Sequence, residues 1–137
     1  MLRILFFLIP ILSVAQSDST VYLRDCQTYA YPCWQGCDSL AKEYARRRCT
    51  SDQIKSYNRQ NFRYPSDGSC INGTGVVQVL ITETGEVEDV KVLRELGGVT
   101  EEAIIRLVKS YPLLIPAICE GQPVRTWITY PVKIQLE

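Results

Sequence analysis

Six cysteines are the residues of this sequence best suited to covalent chemistry, as disulfides, metal ligands or redox-active thiols. They stand at Cys26, Cys33, Cys37, Cys49, Cys70 and Cys119. The sequence has no Cys-x-x-Cys pair and no histidine, so the common mixed zinc sites are excluded and no imidazole can activate a nucleophile. We therefore predict a protein that is not an enzyme and has no metal or cofactor site. A cysteine-based redox enzyme is the remaining catalytic alternative.

Glu101 and Glu102 are adjacent carboxylates that could in principle do acid–base chemistry. They directly follow Thr100, a residue type that often caps the start of a helix. Acidic side chains in a first turn complement the helix dipole. We interpret this pair as part of a helix start.

The first 15 residues have the pattern of a secretory signal peptide. Arg3 precedes an apolar run over residues 4–14, and Ser13 and Ala15 occupy the small-residue positions of a cleavage site. The run is shorter than the roughly 20 apolar residues that span a bilayer. We expect an exported chain with no membrane span after cleavage, in which cysteines form disulfides. An uncleaved membrane anchor is the alternative.

The charge balance argues against two classes of partner. The sequence has 15 Lys and Arg residues and 15 Asp and Glu residues. Neither nucleic acid nor an anionic membrane is expected to bind, because both require a concentrated basic surface. A length of 137 residues suits a single domain.

Two helices are predicted ahead of a β-rich region. The first covers residues 38–49 with Asp38 as its N-cap, and the second begins at Thr50, where a capping box starts. The side chains that would face inward from the second helix are Ile54, Tyr57 and Phe62.

The segment VVQVLITETGEVEDVKVL predicts a β-hairpin whose tight turn contains Gly85. Val87 is out of phase with Val90, which indicates a β-bulge near Glu88 and Asp89. A third helix is predicted to follow Thr100. Its apolar stripe consists of Ile104, Leu107, Val108 and Tyr111.

Apolar and polar residues alternate from about Val124 to the end of the chain, which predicts a strand with one buried face. The inward set is Val124, Ile128, Tyr130, Val132, Ile134 and Leu136, interrupted by Thr126. The outward set is Arg125, Trp127, Thr129, Lys133 and Gln135. Pro131 cannot donate a ladder hydrogen bond, so we expect this strand at a sheet edge.

The order of these elements indicates an α+β fold. It predicts a three-stranded antiparallel sheet of β-β-α-β order packed with helices, preceded by a disulfide-stapled helical extension.

A series of motifs runs through the second half of the chain. In order they are Tyr64-Pro65, Gly75, Gly85, the EEAIIR helix, Tyr111-Pro112, the GQPV turn and Pro131. Over residues 52–136 this series resembles the C-terminal domain of the TonB energy-transducer family. The resemblance divides the chain into a signal peptide (1–15), a cysteine-containing extension with a helix (16–51) and a TonB-like domain (52–137).

The resemblance implies a periplasmic protein-binding module of a Gram-negative bacterium. Its expected partner is a TonB-dependent outer-membrane transporter or another envelope protein, which would pair an extended peptide with the sheet edge. The contact candidates are Arg59, Asn61, Tyr64 and Pro65, with Arg125, Trp127, Thr129 and Lys133 from the last strand. The sequence shows neither the membrane-spanning helix nor the proline-rich linker of a full transducer, so we expect a stand-alone binding module. The alternative is a self-associating scaffold that forms a homodimer through this edge.

The resemblance also bears on the disulfides. Cys37 and Cys49 resemble a paired-cysteine extension of some family members. Cys70 would lie near Cys119 if the first and last strands are neighbours, as they are in the family. Cys26 with Cys33 is then the remaining pair, and spacing alone fixes none of the three.

Overall fold

The structure is a computed structural model that describes residues 19–63, 71, 73–97 and 99–133. Several predicted features lie outside these residues, namely the signal peptide, Tyr64, Pro65, Cys70, Ile134, Gln135 and Leu136.

The described chain contains both helices and antiparallel strands, which confirms the α+β class. The elements are β1 (Tyr29–Ala30), α1 (Glu43–Asn61), β2 (Gly75–Ile81), β3 (Val87–Arg94), α2 (Glu101–Lys109), β4 (Ala117–Cys119), β5 (Gln122–Val124) and β6 (Thr126–Val132). Two 3-10 turns cover Leu23–Asp25 and Cys37–Ser39.

A single helix, α1, stands where the sequence predicted two. It continues for 19 residues because neither glycine nor proline interrupts it. The predicted cap Asp38 lies ahead of α1 in a 3-10 turn, where its carboxylate accepts a hydrogen bond from Gly36 N–H at 3.2 Å. The predicted cap Thr50 lies inside the helix, and its hydroxyl accepts a hydrogen bond from Trp34 N–H at 3.0 Å. The capping-box pattern at Thr50 therefore serves a tertiary contact. α1 also passes through residue 52, so the division of the chain there stays a prediction.

The main sheet has the strand order β3-β2-β6 and is antiparallel throughout. Its hairpin turn contains Gly85 at φ +88°, as predicted. A Cβ atom at this position would lie 1.8 Å from the carbonyl oxygen of Leu114. Leu114 N–H also donates to Gly85 C=O at 2.9 Å. Gly85 therefore allows the turn to form and allows the backbone of Leu114 to pack against the turn.

The predicted β-bulge is present in β3. Leu80 pairs with Asp89, while the next residue of β2 pairs with Val87. Glu88 is thus the extra residue of the bulged strand, which explains why the valines on either side of it are out of phase.

One face of the main sheet is covered by the two helices. The hydroxyl of Thr100 accepts a hydrogen bond from Ala103 N–H at 3.2 Å, which confirms the predicted N-cap of α2. The buried core includes Phe62, Val77, Val79, Ile81, Ile104, Leu107, Val108 and Tyr111, and Ile54 and Tyr57 of α1 pack against it. α2 therefore buries the apolar stripe that the sequence predicted, and α1 partly buries its predicted inward side chains.

β6 is an edge strand of the main sheet, as Pro131 predicted. It pairs with β2 from Thr126 to Val132 without a register shift. The long predicted strand is divided at Arg125, because Val124 ends β5 in another sheet. Thr126, which interrupts the apolar set, is itself buried.

The second sheet, of order β1-β4-β5, was not predicted. It includes part of residues 19–42, which we call the leader. The leader also contacts the main sheet next to β6, where Val21 N–H donates to Arg125 C=O at 2.8 Å. A small core beneath it contains Leu23, Cys26 and Ala117. The leader is thus an integral part of the fold rather than an irregular extension.

The disulfides confirm one predicted pair and correct two. Cys37 is bonded to Cys49, as expected. Cys119 is bonded to Cys26 and not to Cys70, because β1 and β4 pair in a register that places Tyr29 opposite Cys119. The predicted Cys26–Cys33 pair is therefore also wrong. The extended chain of β1 separates these two residues, and Cys33 is a buried free thiol.

Candidate functional site

A groove of about 570 Å³ lies between α1 and β6, and we call it the α1–β6 groove. Ile54 and Asn58 line it from the helix, and residues 128–131 line it from the strand. Val79 and Ile81 of β2 extend its apolar surface beneath the strand edge. The groove is therefore a mainly apolar space directly beside the edge of the main sheet.

Hydrogen bonds among buried polar groups hold the two sides of this groove together. Tyr111 Oη donates to Asn58 Oδ1 at 2.8 Å, and Tyr130 Oη donates to Tyr111 Oη at 3.1 Å. Burial raises the pKa of Tyr111 to about 12 and also raises the pKa of Tyr130. Both phenols therefore stay neutral near pH 7 and connect α1 to β6.

Basic side chains line the helix side of the α1–β6 groove. Arg47, Arg48 and Lys55 are all exposed at its rim. The guanidinium of Arg47 stacks on the ring of Tyr31, with 4.5 Å between the guanidinium carbon and the ring centroid. This contact places the arginine beside the leader.

A smaller pocket of about 260 Å³ adjoins the groove where β6 ends, and we call it the basic pocket. The described residues that line it are Asp52, Lys55, Ser56, Arg59 and Lys133. Lys55 lies 4.0 Å from Asp52, and both side chains are more than half exposed, so this ion pair contributes little stability. The described part of its lining carries three cationic side chains and one carboxylate.

The leader borders the opposite end of the α1–β6 groove with Tyr31 and Pro32. Tyr31 N–H donates to Glu43 Oε1 at 3.4 Å, and Glu43 is also paired with Arg46 at 2.6 Å. The Cys37–Cys49 disulfide crosslinks the leader to α1. The leader border is thus held to the helix by both polar and covalent links.

The predicted contact residues occupy different surfaces. Thr129 and Lys133 line the α1–β6 groove, and Arg59 lines the basic pocket with Lys133. Asn61 is exposed at the end of α1, where its side-chain amide donates to Tyr57 C=O at 2.9 Å. The structure therefore brings three of the predicted residues to one surface.

Two other predicted residues are engaged elsewhere. Arg125 forms an ion pair with Glu88 of β3. Lys91 lies over the ring of Trp127, 4.4 Å from its centroid. These contacts tie both residues to the sheet, and neither residue lines the α1–β6 groove.

Cys33 is the free thiol among the described cysteines. It is 4% exposed, and burial raises its pKa, with a smaller contribution from the nearby carboxylate of Asp38. A reactive cysteine needs an accessible thiolate, which both effects disfavour. Its environment therefore argues against redox catalysis at this position.

A family model described as "Gram-negative bacterial TonB protein C-terminal" matches residues 60–136. The chain belongs to the TonB C-terminal domain family. This TonB C-terminal domain is accordingly a member of a periplasmic, protein-interaction family rather than of an enzyme family. No curated protein and no solved structure matches the chain.

Two further observations concern the described part of the chain. Its helices α1 and α2 are too polar or too short to cross a bilayer. Its described side chains include no cluster of carboxylates and thiols that could hold a metal ion.

Sequence reasoning missed the groove because most of its helix side lies outside the family match. Ile54 and Lys55 precede residue 60, and although the resemblance was extended to residue 52, its contact candidates begin only at Arg59. The available signal was the spacing of Ile54, Tyr57 and Asn58, which places all three on one face of a helix. That pattern predicts burial, but it does not show which strand the helix would flank.

Proposed function

We propose that this protein binds an extended segment of an outer-membrane transporter, or of a related envelope protein, as an additional strand on β6. Membership of the TonB C-terminal domain family supports a protein-interaction role. The edge position of β6 supports this mode of binding, because an edge strand presents unpaired N–H and C=O groups to another chain.

The orientation of β6 is the observation that carries the proposal. Pro131 fits into the ladder with β2 if its nitrogen faces away from β2. Alternate residues of a strand direct their backbone groups to the same side, so Trp127 and Thr129 would face the same free edge. Arg125 lies an even number of residues before Pro131, so its backbone groups should face the same edge. Its C=O accepts a hydrogen bond from Val21 N–H of the leader, which supports this orientation.

A partner strand therefore has a defined length of edge. The leader occupies the edge position at Arg125, and β6 continues from there to Val132. Residues 127–133 span roughly 20 Å at about 3.3 Å per residue, which accommodates about six residues of a partner. The α1–β6 groove supplies space beside them.

The direct test measures the binding of synthetic peptides that cover N-terminal periplasmic segments of outer-membrane transporters. Fluorescence anisotropy compares the wild type with Thr129→Pro, which removes an outward N–H, and with Thr129→Val, which keeps it. Thr129→Pro is expected to weaken binding about tenfold or more, because it removes a ladder bond and its ring obstructs pairing. Thr129→Val should bind like the wild type.

A second arm changes the peptide instead of the protein. N-methylation at alternate residues removes the backbone donors along one side of the peptide while its side chains remain. One methylation pattern should abolish binding and the opposite pattern should preserve it. Equal binding by both methylated peptides, or by Thr129→Pro that is folded by circular dichroism, would refute strand addition.

Self-association is an alternative outcome of the same experiments. A tight dimer in sedimentation velocity, with the backbone of β6 protected from hydrogen exchange without peptide, would replace the proposal by self-pairing.

A further inference from the structure

Exposed cationic and aromatic side chains gather on the leader and at the start of α1. The cations are Lys42, Arg47 and Arg48, and the aromatic residues are Tyr29 and Tyr44. We call these five side chains the leader patch. Tyr44 is the most exposed large apolar side chain of the described residues, at 68%, so its ring is available to a ligand.

Contacts between rings and cations join the leader patch into one surface. The rings of Tyr29 and Tyr31 meet edge to face with 5.5 Å between their centroids, and the guanidinium of Arg47 stacks on Tyr31. Tyr44 lies one helical turn before Arg47, on the same side of α1. Lys42 Nζ lies 5.7 Å from the centroid of the Tyr44 ring. Tyrosines and cations are therefore interleaved on a continuous surface.

The two halves of the leader patch are also held together covalently. Tyr29 belongs to the leader and Tyr44 to α1, and the Cys37–Cys49 disulfide crosslinks these two parts of the chain. Tyr29 is further fixed in β1, where it pairs with Cys119 of β4. Because the patch is formed before any ligand arrives, binding to it costs little ordering of the protein.

The fold concentrates positive charge at this surface, although charges balance over the whole sequence. Glu43, the acidic residue in the first turn of α1, is already paired with Arg46 at 2.6 Å. Within the described part of the chain, the three cations of the leader patch form no ion pair. The overall balance of charge therefore does not exclude an anionic partner for this surface.

This combination of side chains suits the headgroup region of an anionic lipid bilayer. Tyrosine is enriched at membrane interfaces, where its ring is buried and its hydroxyl stays in water. Lys and Arg near an anionic leaflet are attracted to it. Leu40, two residues ahead of Lys42, adds an exposed apolar side chain beside them. A bilayer also requires no matching shape, so exposed rings and cations are sufficient to bind it.

We propose that the leader patch is a peripheral contact with an anionic phospholipid surface. The rings of Tyr29 and Tyr44 enter the headgroup layer, and Lys42, Arg47 and Arg48 bind the lipid phosphates. The contact is reversible, because it consists of a few side chains and the described residues include no membrane-spanning helix. It is separate from strand addition on β6, and it would keep the protein beside a membrane that carries its partner.

Co-sedimentation with lipid vesicles tests the proposal. The chain is expressed from residue 16, so that the apolar run over residues 4–14 cannot contribute to binding. The vesicles contain either phosphatidylcholine alone or phosphatidylcholine and phosphatidylglycerol in equal amounts. Two variants each remove three exposed positive charges and are checked for folding by circular dichroism. They are Lys42→Gln/Arg47→Gln/Arg48→Gln in the leader patch and, as the matched control, Arg94→Gln/Arg106→Gln/Lys109→Gln on β3 and α2.

The wild type and the control variant are expected to bind the anionic vesicles and not the neutral ones. The leader-patch variant should bind the anionic vesicles at least about tenfold more weakly, since each cation near an anionic surface contributes a factor of about five. Binding of the wild type should weaken at high salt, because salt screens exposed charges.

A second measurement locates the surface that meets the lipid. Tyr44→Trp places a fluorescent ring in the leader patch, and lipids with brominated acyl chains quench tryptophan that enters the bilayer. Quenching of Tyr44→Trp should exceed that of the wild type, whose tryptophans Trp34 and Trp127 lie outside the leader patch. Equal quenching in the two proteins would overturn the assignment of this surface.

The remaining outcomes are equally decisive. Absence of binding to anionic vesicles, equal binding to neutral ones, or the same loss in both charge variants would overturn the proposal. Thr129→Pro should bind the vesicles like the wild type, because the lipid contact does not use the edge of β6. A failure of the lipid contact and a failure of strand addition therefore appear in different assays.

Discussion

Removing the Cys26–Cys119 disulfide is expected to cost more stability than any other single crosslink change among the described residues. The bond joins residues 93 positions apart, so it encloses most of the described fold in one loop. In the chain-entropy model, the stabilisation grows with the logarithm of loop length and reaches about 5 kcal/mol for a loop of this size. Alanine is the suitable replacement, because Cys26 lies in an apolar cluster where a serine hydroxyl would be buried.

The matched comparison is Cys37→Ala/Cys49→Ala. Those two cysteines are 12 positions apart, and the same model assigns their crosslink about 3 kcal/mol. Urea unfolding followed by tryptophan fluorescence measures both variants, since Trp34 packs against Tyr57 and Tyr111 and reports contact between the leader and the core. A mildly acidic buffer keeps the free thiol of Cys33 protonated and suppresses exchange.

Comparing the losses of free energy of unfolding in the two variants tests the loop-closure explanation. The Cys26→Ala/Cys119→Ala variant should lose roughly 2 kcal/mol more free energy of unfolding than Cys37→Ala/Cys49→Ala. An equal or smaller loss would refute loop closure as the source of the stabilisation. It would point instead to contacts of the leader that persist without the bond.

Three further predictions concern single residues. Gly85→Ala should lower the free energy of unfolding in urea by more than about 3 kcal/mol, because the added Cβ would collide with Leu114 C=O and the residue has a positive φ. Thr84→Ala, on the same turn, should lower it much less. Tyr111→Phe should cost about 1–3 kcal/mol, since it leaves the buried Asn58 carbonyl without its donor. The raised pKa of Tyr111 means that this phenol ionises first in the unfolded chain, so the contribution of Tyr111 to stability should be lost between pH 10 and about 12. Stability should therefore fall less steeply over this interval in Tyr111→Phe. Thr100→Ala should cost about 1 kcal/mol by loss of the N-cap, and no change in the urea midpoint would contradict the capping role.

Much of the fold was predictable because it depends on local rules. Gly85 marks a turn that needs a positive φ, and Thr100 marks a helix start through its own hydroxyl. Pro131 indicated an edge strand because it lacks the N–H that a central strand would need. Each of these signals depends on the residue itself and a few neighbours, so the sequence contains enough information to interpret it.

The features that were missed depend on distant parts of the chain. Thr50 carries a helix-start pattern, but its hydroxyl bonds to Trp34, and the helix continues through it. The pairing of Cys26 with Cys119 depends on β1 lying beside β4, two short strands with no periodic pattern of their own. Such short strands are defined by their partners, which spacing along the chain does not identify.

The candidate site was predictable only in part for the same reason. Thr129 and Lys133 were predicted from the last strand, and Arg59 from the family resemblance, and all three lie at the α1–β6 groove or the basic pocket. The opposing surface, with Ile54 and Lys55, depends on how α1 packs across the sheet. Helical periodicity shows which side of a helix is buried, but it does not give the packing direction.

The Cys26–Cys119 bond also determines how the protein would respond to mechanical tension. A force applied ahead of Cys26 is transmitted to β4 through the disulfide to Cys119. Cys119 lies six residues before Arg125, where the leader forms its hydrogen bond at the start of β6. The 93-residue interval between the two cysteines cannot be drawn out between these points while the bond is intact. Tension between the amino-terminal segment and a strand held on β6 would therefore load the short stretch around the second sheet, and the core beneath α2 would be bypassed.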